Sequence, residues 1–313
     1  MQSTEEKRKS NFRKRIFKIT AAILIAVILI LSAGITFRIP KSMPKWSDIF
    51  SFCGVSADLS EDLTASFIDV GTADACCIRC NGKTLLIDCG EASSYQKLYA
   101  YCRHYGFDHF DAAIISHFDS DHYGAAANVM RDFGIDTIYT QPLSDDLKPD
   151  DELFENFKNL LDVYGCKTVT PSAGDTVNLG DLKITFISPI KEYDNLNDNS
   201  LVVKAEYKNT SFLFTGDISS EAENDILSDE KSIDCDVLKV AHHGSKTSSS
   251  EEFLKAVSPQ ISVISVGTSE KNLPDYDTVA RVNHYSAELY TTASDSNIVI
   301  SSDGNNLSVQ TFA

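Results

Sequence analysis

Positive charge is scarce in this sequence once its first 18 residues are passed. The 313 residues hold 28 Lys and Arg against 45 Asp and Glu, a formal net charge of −17. Seven of the basic residues fall within the first 18, a segment of net +5, so the remainder carries −22. So acidic a body repels long polyanions unless a local basic patch or a metal offsets it, which argues against broad electrostatic binding of nucleic acid. Zinc-ribbon spacing is missing as well. Eight cysteines lie beyond residue 37, yet "CIRC" is a lone C-x-x-C with no second pair to answer it. The crowded Cys76, Cys77, Cys80, Cys89 and Cys102 therefore read as small buried hydrophobes. There is no low-complexity tract and no repeat of about 20–50 residues, which excludes arrays and solenoids.

Charge is absent altogether from Ile19 to Phe37, "ITAAILIAVILILSAGITF", a run of 19 residues. At about 1.5 Å rise per residue it comes close to the ~30 Å of a bilayer's hydrocarbon core. A basic flank before a single apolar span stays inside, so the spacing predicts a transmembrane anchor with the C-terminal mass outside the cell. A cleaved signal peptide is the competing reading, but its apolar region is usually about 7–15 residues and no clear A-x-A-like site stands near "LSAGITF". The chain thus divides into a basic cytoplasmic N-terminus (1–18), an anchor (19–37), a linker with two prolines (38–63) and one folded domain (64–313).

The domain reads as α/β. "LTASFIDVG", "DACCIRC" and "KTLLIDCG" are short β-rich runs, the last two joined by the Asn81-Gly82 hairpin signal. "SYQKLYAYCRHYG" is a helix closed by Gly106, and "FDAAIISH" a buried strand before the helix "GAAANVMRDFG". "DTIYTQ" and "DELFENFKNLLDVYG" follow as strand and helix. After "PSAGDTVNLGD" the pattern begins again: strands at "LKITFISP", "SLVVKAEYK", "SFLFTGD", "DVLKVAHHG" and "ISVISVG", with helices at "SEAENDILS", "SSEEFLKAVS" and "YDTVARVNHY". Strands followed by strand–helix alternation, twice over, predict two sheets packed face to face with helices outside.

Polar residues gather at three apolar strand ends. "IISHFDSDHYG" carries His117, Asp119, Asp121 and His122, "FLFTGDIS" carries Asp217, and "LKVAHHGSKTS" carries His242, His243 and Lys246. Imidazole and carboxylate suit zinc or manganese, and six such groups are enough for two ions that share a bridging ligand. Singly each cluster has a plain explanation, since Asp217 after Gly216 suits a turn and a histidine can be a satisfied core residue. Three clusters at strand ends on one rim point instead to a reactive site. His104 and His109 flank a helix-to-strand turn and read as solvated. His284 sits at a helix C-terminus, where the dipole favours it.

"HFDSDH" resembles the H-x-[HD]-x-D-H signature of the metallo-β-lactamase superfamily, and "FTGD" its bridging-aspartate motif. "FIDVGTADA", "NSLVV", "LKVAHHGSK" and "ISVG" narrow the resemblance to the hydrolase domain of ComEC-type DNA-uptake proteins, over Thr64 to Leu307. The resemblance implies an αβ/βα sandwich with a metal site on the shared sheet edge. It implies that His117, Asp119, Asp121 and His122 form the first ligand group, that Asp217 is shared between two metals, and that His242 or His243 is the last ligand. Lys246 matches the family's lysine, placed to meet a negative substrate oxygen. Two departures stand out. There is no histidine between His122 and His242, although many members place a metal ligand just before the "SLVV"-type strand, where Asn195, Asn197 or Asn199 could fill the space. Leu273 stands where the family's "YGHP"-like turn has a histidine. The position around Asp121, His122, Asp217 and the "HH" pair therefore has the stronger ligand set, and that of His117 and Asp119 the weaker.

The function expected is a membrane-anchored, outward-facing hydrolase of a phosphoester or phosphodiester, using one or two Zn²⁺ or Mn²⁺ ions. Lys246 would stabilise developing charge, and Asp121 would orient the attacking water. Expected partners are the membrane and a phosphate-bearing substrate (DNA, nucleotide or wall polymer), with no stable protein partner. The alternative is a surface binding or scaffold module that keeps the fold without the chemistry.

Overall fold

The computed structural model describes residues 25, 62–229, 232–270 and 272–312. The anchor and the basic N-terminus expected from the sequence lie outside them, apart from Ile25, as does all but the end of the linker. No helix among the described residues is long and apolar enough to cross a membrane. The two sheets belong to one compact unit, Asp58–Cys102 with Phe107–Ala313.

Eight strands make the first sheet: β1 (Leu63–Phe67), β2 (Ala75–Cys80), β3 (Lys83–Cys89), β4 (Phe110–Ile115), β5 (Ile135–Thr140), β6 (Lys167–Val169), and the late β14 (Asn297–Ser302) and β15 (Leu307–Phe312). Seven make the second: β7 (Thr176–Leu179), β8 (Leu182–Ser188), β9 (Val202–Tyr207), β10 (Thr210–Phe214), β11 (Val237–Lys239), β12 (Ile261–Ile264) and β13 (Glu288–Thr291). Their orders are β15-β14-β1-β2-β3-β4-β5-β6 and β13-β12-β11-β10-β9-β8-β7. In both, antiparallel pairing gives way to parallel pairing, from β3 to β4 and from β10 to β11. Parallel neighbours need crossovers. Here these include α1 (Tyr95–His104), α2 (Ser120–Tyr123), α3 (Ala126–Asp132), α4 (Glu152–Tyr164), α5 (Ser220–Ser228), α6 (Glu251–Val257) and α7 (Tyr276–Tyr285), while α8 (Thr292–Asp295) leads from the second sheet back to the first.

The sandwich read from the sequence is present. Ala65, Phe67, Ile78, Leu85 and Ile114 of the first sheet meet Ile184, Phe186, Val203, Phe212 and Phe214 of the second in one buried cluster. The second sheet buries its other face under α5, α6 and α7 through Ala222, Ile226, Phe253, Leu254 and Val282. The tyrosine-rich run of α1 is a packing surface: Tyr95 and Tyr101 are buried, and the Tyr95 hydroxyl sits 2.7 Å from Asp132 Oδ2. All seven cysteines among the described residues are free, six of them buried.

The C-terminal segment was not placed by periodicity. Its strand β14 returns to pair with β1, Ile300 opposite Ala65, and so completes the first sheet rather than extending the second.

Candidate metal centre

The three polar clusters do meet, on the rim where the sheets join. Leu201 N donates to the Ser116 carbonyl (2.9 Å), His242 N to the Gly216 carbonyl (3.1 Å), and Asp74 N to the Asp121 carbonyl (3.1 Å). Gly216 makes the close approach possible. Its φ is +52°, and a Cβ there would stand 2.8 Å from Ser200 Cβ and 3.1 Å from Ser116 Cβ. "HFDSDH" turns directly into the short α2, with Asp119 at the N-cap position and no side-chain cap bond, which puts Asp121 and His122 in one helical turn. "AHHG" forms a tight turn in which His242 (φ 50°, ψ 47°) and His243 (φ 51°, ψ 27°) are both left-handed. Such backbone costs roughly 1–2 kcal/mol per residue. The surrounding fold must hold it.

Asp121, His122, Asp217 and His243 come together: each offers a ligand atom within 4.8 Å of the others. His122 Nε2 lies 3.3 Å from Asp217 Oδ1 and 3.9 Å from Asp121 Oδ2. His243 Nε2 lies 3.2 Å from Asp121 Oδ2 and 3.7 Å from Asp217 Oδ2. His242 is on the rim, one-third exposed, with Nε2 3.7 Å from Asp217 Oδ2. His117 is fully buried with Nε2 3.5 Å from Asp119 Oδ2, and its ring centroid is 4.1 Å from that of His122. The clustered four and the His117–Asp119 pair thus sit side by side, with His122 adjoining both.

The donor set fits a divalent ion. His122 Nε2, His117 Nε2 and Asp217 Oδ1 are buried without a hydrogen-bond partner, which buried polar atoms rarely tolerate. The opposite nitrogens are engaged. His122 Nδ1 is 2.9 Å from Asp88 Oδ2, His243 Nδ1 is 2.8 Å from the Ser265 carbonyl, and His117 Nδ1 is 3.1 Å from Ser116 Oγ. A proton on Nδ1 facing carboxylate or carbonyl leaves the Nε2 lone pair for an ion. Ser116 Oγ in turn donates to Asp88 Oδ2 at 2.7 Å, and its backbone N–H to Asp88 Oδ1 at 2.7 Å.

Electrostatics reinforce the set. Burial works to raise the Asp217 carboxyl, but His122 and His243 outweigh it and hold it well below the usual carboxylate range. The same balance leaves Asp121 at about 2, through burial on one side and the His243 hydrogen bond and His122 charge on the other. Burial opposes protonation of His122, yet Asp217 and Asp88 hold its pKa well above that of ordinary imidazole. His243 is raised in the same way, with Asp217 the leading attraction. Protons and a metal ion would compete for these atoms.

Lys246 is exposed, three residues past His243, and no ion pair engages it among the described residues. Two of the asparagines in question, Asn195 and Asn199, are occupied elsewhere. Asn199 donates to the Tyr193 and Asn195 carbonyls and accepts from Tyr193 N, while Asn195 pairs with Asp198. Leu273 packs onto the helix-covered apolar cluster. His109 bonds to Asp136 at 3.1 Å while half exposed, and His284 is exposed on the last turn of α7.

Sequence reasoning missed the layer beneath. Asp74 Oδ2 pairs with Lys239 Nζ at 2.7 Å, both side chains buried, and Asp88 holds Ser116 and His122. Burial raises the Asp74 carboxyl, but Lys239, His243 and His122 bring it below its ordinary value. The available signal was a charge in or beside a short apolar strand: Asp74 just before β2, Asp88 in β3 and Lys239 at the end of β11.

Sandwich, rim and His/Asp donor set define a class, and the chain belongs to the metallo-beta-lactamase superfamily, whose family model matches residues 70–268. Within it the likeness is to competence proteins of the ComEC type. The chain is 28% identical over 232 residues to ComE operon protein 3 of Bacillus subtilis (strain 168), covering 68% of this chain and 29% of the relative. It is 28% identical over 234 residues to Recombination protein 2 of Haemophilus influenzae, covering 72% and 27%. Competence protein ComA of Neisseria gonorrhoeae is 25% identical over 261 residues, covering 80% and 35%. The chain therefore spans about a third or less of the length of these relatives. Among solved structures, the metallo-beta-lactamase fold protein YhfI from Bacillus subtilis superposes with a TM-score of 0.52 at 14% identity, over 76% of this chain and 99% of that one. A mutant of the CmlA beta-hydroxylase gives 0.53 at 11%, over 87% and 62%. Both likenesses speak to the fold alone. The chain is a metallo-beta-lactamase-fold hydrolase related to the ComEC-type competence proteins, with clustered residues that could hold a divalent metal.

Proposed function

We propose that this hydrolase cleaves phosphate esters, phosphodiesters foremost, and works on the outer side of a membrane to which its N-terminal span anchors it. The observation that carries the proposal is the meeting of Asp121, His122, Asp217 and His243, with unpartnered buried donor atoms, and Lys246 stands exposed three residues past His243 in the chain. These four residues would hold a first Zn²⁺ or Mn²⁺, and His117, Asp119 and Asp217 a second, weaker one. When bound, such an ion supplies Lewis acidity, acidifying water and polarising a phosphoryl oxygen. The chain's own residues do the rest. Asp121 is the one carboxylate of the four with appreciable exposure, which suits it to orient a water and take its proton. Lys246 meets the charge that grows on the phosphoryl oxygens. Asp88 and Ser265 keep His122 and His243 turned so that Nε2 faces the ion.

The test is ion content of the purified chain, then hydrolysis of bis-(p-nitrophenyl) phosphate with added zinc or manganese. Lys246→Ala should lower kcat by roughly 10²–10³, the scale for losing one stabiliser of transition-state charge, and leave ion content unchanged. A chain that binds metal, hydrolyses no phosphoester at any metal concentration and is indifferent to Lys246→Ala would instead be a binding module. That second reading draws on the occupied amides of Asn195 and Asn199 and on the packed Leu273. Anchoring is tested by adding protease to intact cells: loss of the domain supports it, and full protection defeats it.

A further inference from the structure

A second set of ligand-type atoms lies behind the first. Asp74, Asp88 and His122 each offer one, all within 4.8 Å of one another and all buried. Asp74 Oδ1 has no hydrogen-bond partner in a residue that is 5% exposed. Two carboxylates and an imidazole in this arrangement suit a divalent cation. Yet a cation is already there. The Lys239 ammonium, on a residue 4% exposed, lies 2.7 Å from Asp74 Oδ2 and donates to the Val240 carbonyl at 2.9 Å. The space left between Asp74, Asp88 and Lys239 on one side and core side chains such as Phe67, Ile87 and Phe214 on the other is a cavity of about 10 Å³, room for one water at most.

His122 is common to both sets, with one nitrogen for each. Nδ1 faces inward, 2.9 Å from Asp88 Oδ2 and 3.9 Å from Asp74 Oδ2, and Nε2 faces outward to Asp217 and Asp121. An ion in the inner set would need a bare Nδ1 and would strip Asp88 of its hydrogen bond. It would also bring two positive charges against the ammonium, in an interior that screens poorly.

We infer that Lys239 is a built-in cation that keeps divalent metal out of the inner set, Asp74, Asp88 and His122, and so confines it to the outer set of Asp121, His122, Asp217 and His243. The inference rests on the metal reading proposed above. A lysine suits the task because its charge is single and tethered: it neutralises Asp74 without exchanging with solvent ions. It also explains a lone basic residue ending the apolar strand β11, where burial of an unpaired ammonium is otherwise costly.

The test is the number of manganese ions per chain, by elemental mass spectrometry on the full chain equilibrated with Mn²⁺. Lys239→Met, close in size and uncharged, should bind one ion more than the unaltered chain, with His122 releasing its Nδ1 proton to solvent so that each nitrogen can serve one ion. Lys239→Met combined with Asp74→Asn, which removes the carboxylate as well, should return to the unaltered number. If Lys239→Met is unfolded without metal, Mn²⁺ should restore its thermal transition, since the ion replaces the missing charge. Equal ion numbers in Lys239→Met and the unaltered chain would overturn the inference alone, and so would a Lys239→Met chain that Mn²⁺ does not refold while the double variant folds unaided. An unaltered chain that takes up no ion would overturn the metal reading and this inference with it.

Discussion

His242 and His243 are adjacent in sequence and differ in everything that matters to a metal. Both have left-handed backbone, and their rings stand 6.3 Å apart, centroid to centroid, at an interplanar angle of 75°. His243 is buried, with Nδ1 on the Ser265 carbonyl and Nε2 toward Asp121 and Asp217. His242 stands one-third exposed and approaches Asp217 alone. Losing an outer hydrogen-bond partner of a ligand costs roughly 10–100-fold in metal affinity, and losing the ligand itself must cost more. His243→Ala is therefore expected to weaken manganese binding by more than about 100-fold, and His242→Ala by clearly less, both read by calorimetric titration. Equal losses would show that the pair acts as one unit, and a larger loss at His242 would reverse the assignment. No sequence pattern could have made this choice, because it depends on the dihedral angles of two consecutive residues.

At the scale of elements, what was legible was what is local. Apolar runs ending in "SHFDSDH", "TGD" and "AHHG" gave β4, β10 and β11 with their polar ends, because strand propensity and side-chain chemistry are both written in a few consecutive residues. Asp151 before α4 and Gly165 after it, with φ 67°, bounded that helix in the same way. What was illegible was non-local. Periodicity gives β14 no place, and only its pairing with β1, across most of the domain, assigns it to the first sheet. Asp74, Asp88 and Lys239 stand in or beside short strands far apart in the chain, and nothing local marks them as partners. They become a buried charge layer only when β2, β3 and β11 are brought together beneath the rim. The twofold pattern of strands then helices was enough for a sandwich, whereas the strand order needed the pairings themselves.

For the whole molecule, the same buried charges tie stability to pH and to metal. Without metal, Asp217 and Asp121 are held low chiefly by His122 and His243, and those two histidines are held high by the carboxylates. Carboxyls depressed on folding add stability that is present above their unfolded pKa of about 4 and lost as pH falls through the lower folded values. Histidines raised on folding add stability that is full below their unfolded pKa of about 6.5 and lost as pH rises through the higher folded values. The metal-free chain should therefore be most stable between roughly pH 4 and 6.5, and lose stability above that window. Metal acts in the opposite sense, because an ion needs Nε2 of His122 and His243 unprotonated. Its affinity, and with it the stabilisation by mass action, should grow over the range in which the metal-free chain weakens. Thermal unfolding at pH 6 and pH 8.5, with and without manganese, is the measurement. The metal-free midpoint should be lower at pH 8.5 than at pH 6, and the rise produced by manganese should be larger at pH 8.5. A metal-free midpoint that does not fall, together with a manganese effect equal at both pH values, would mean that the two buried histidines are not the groups that protons and metal contest.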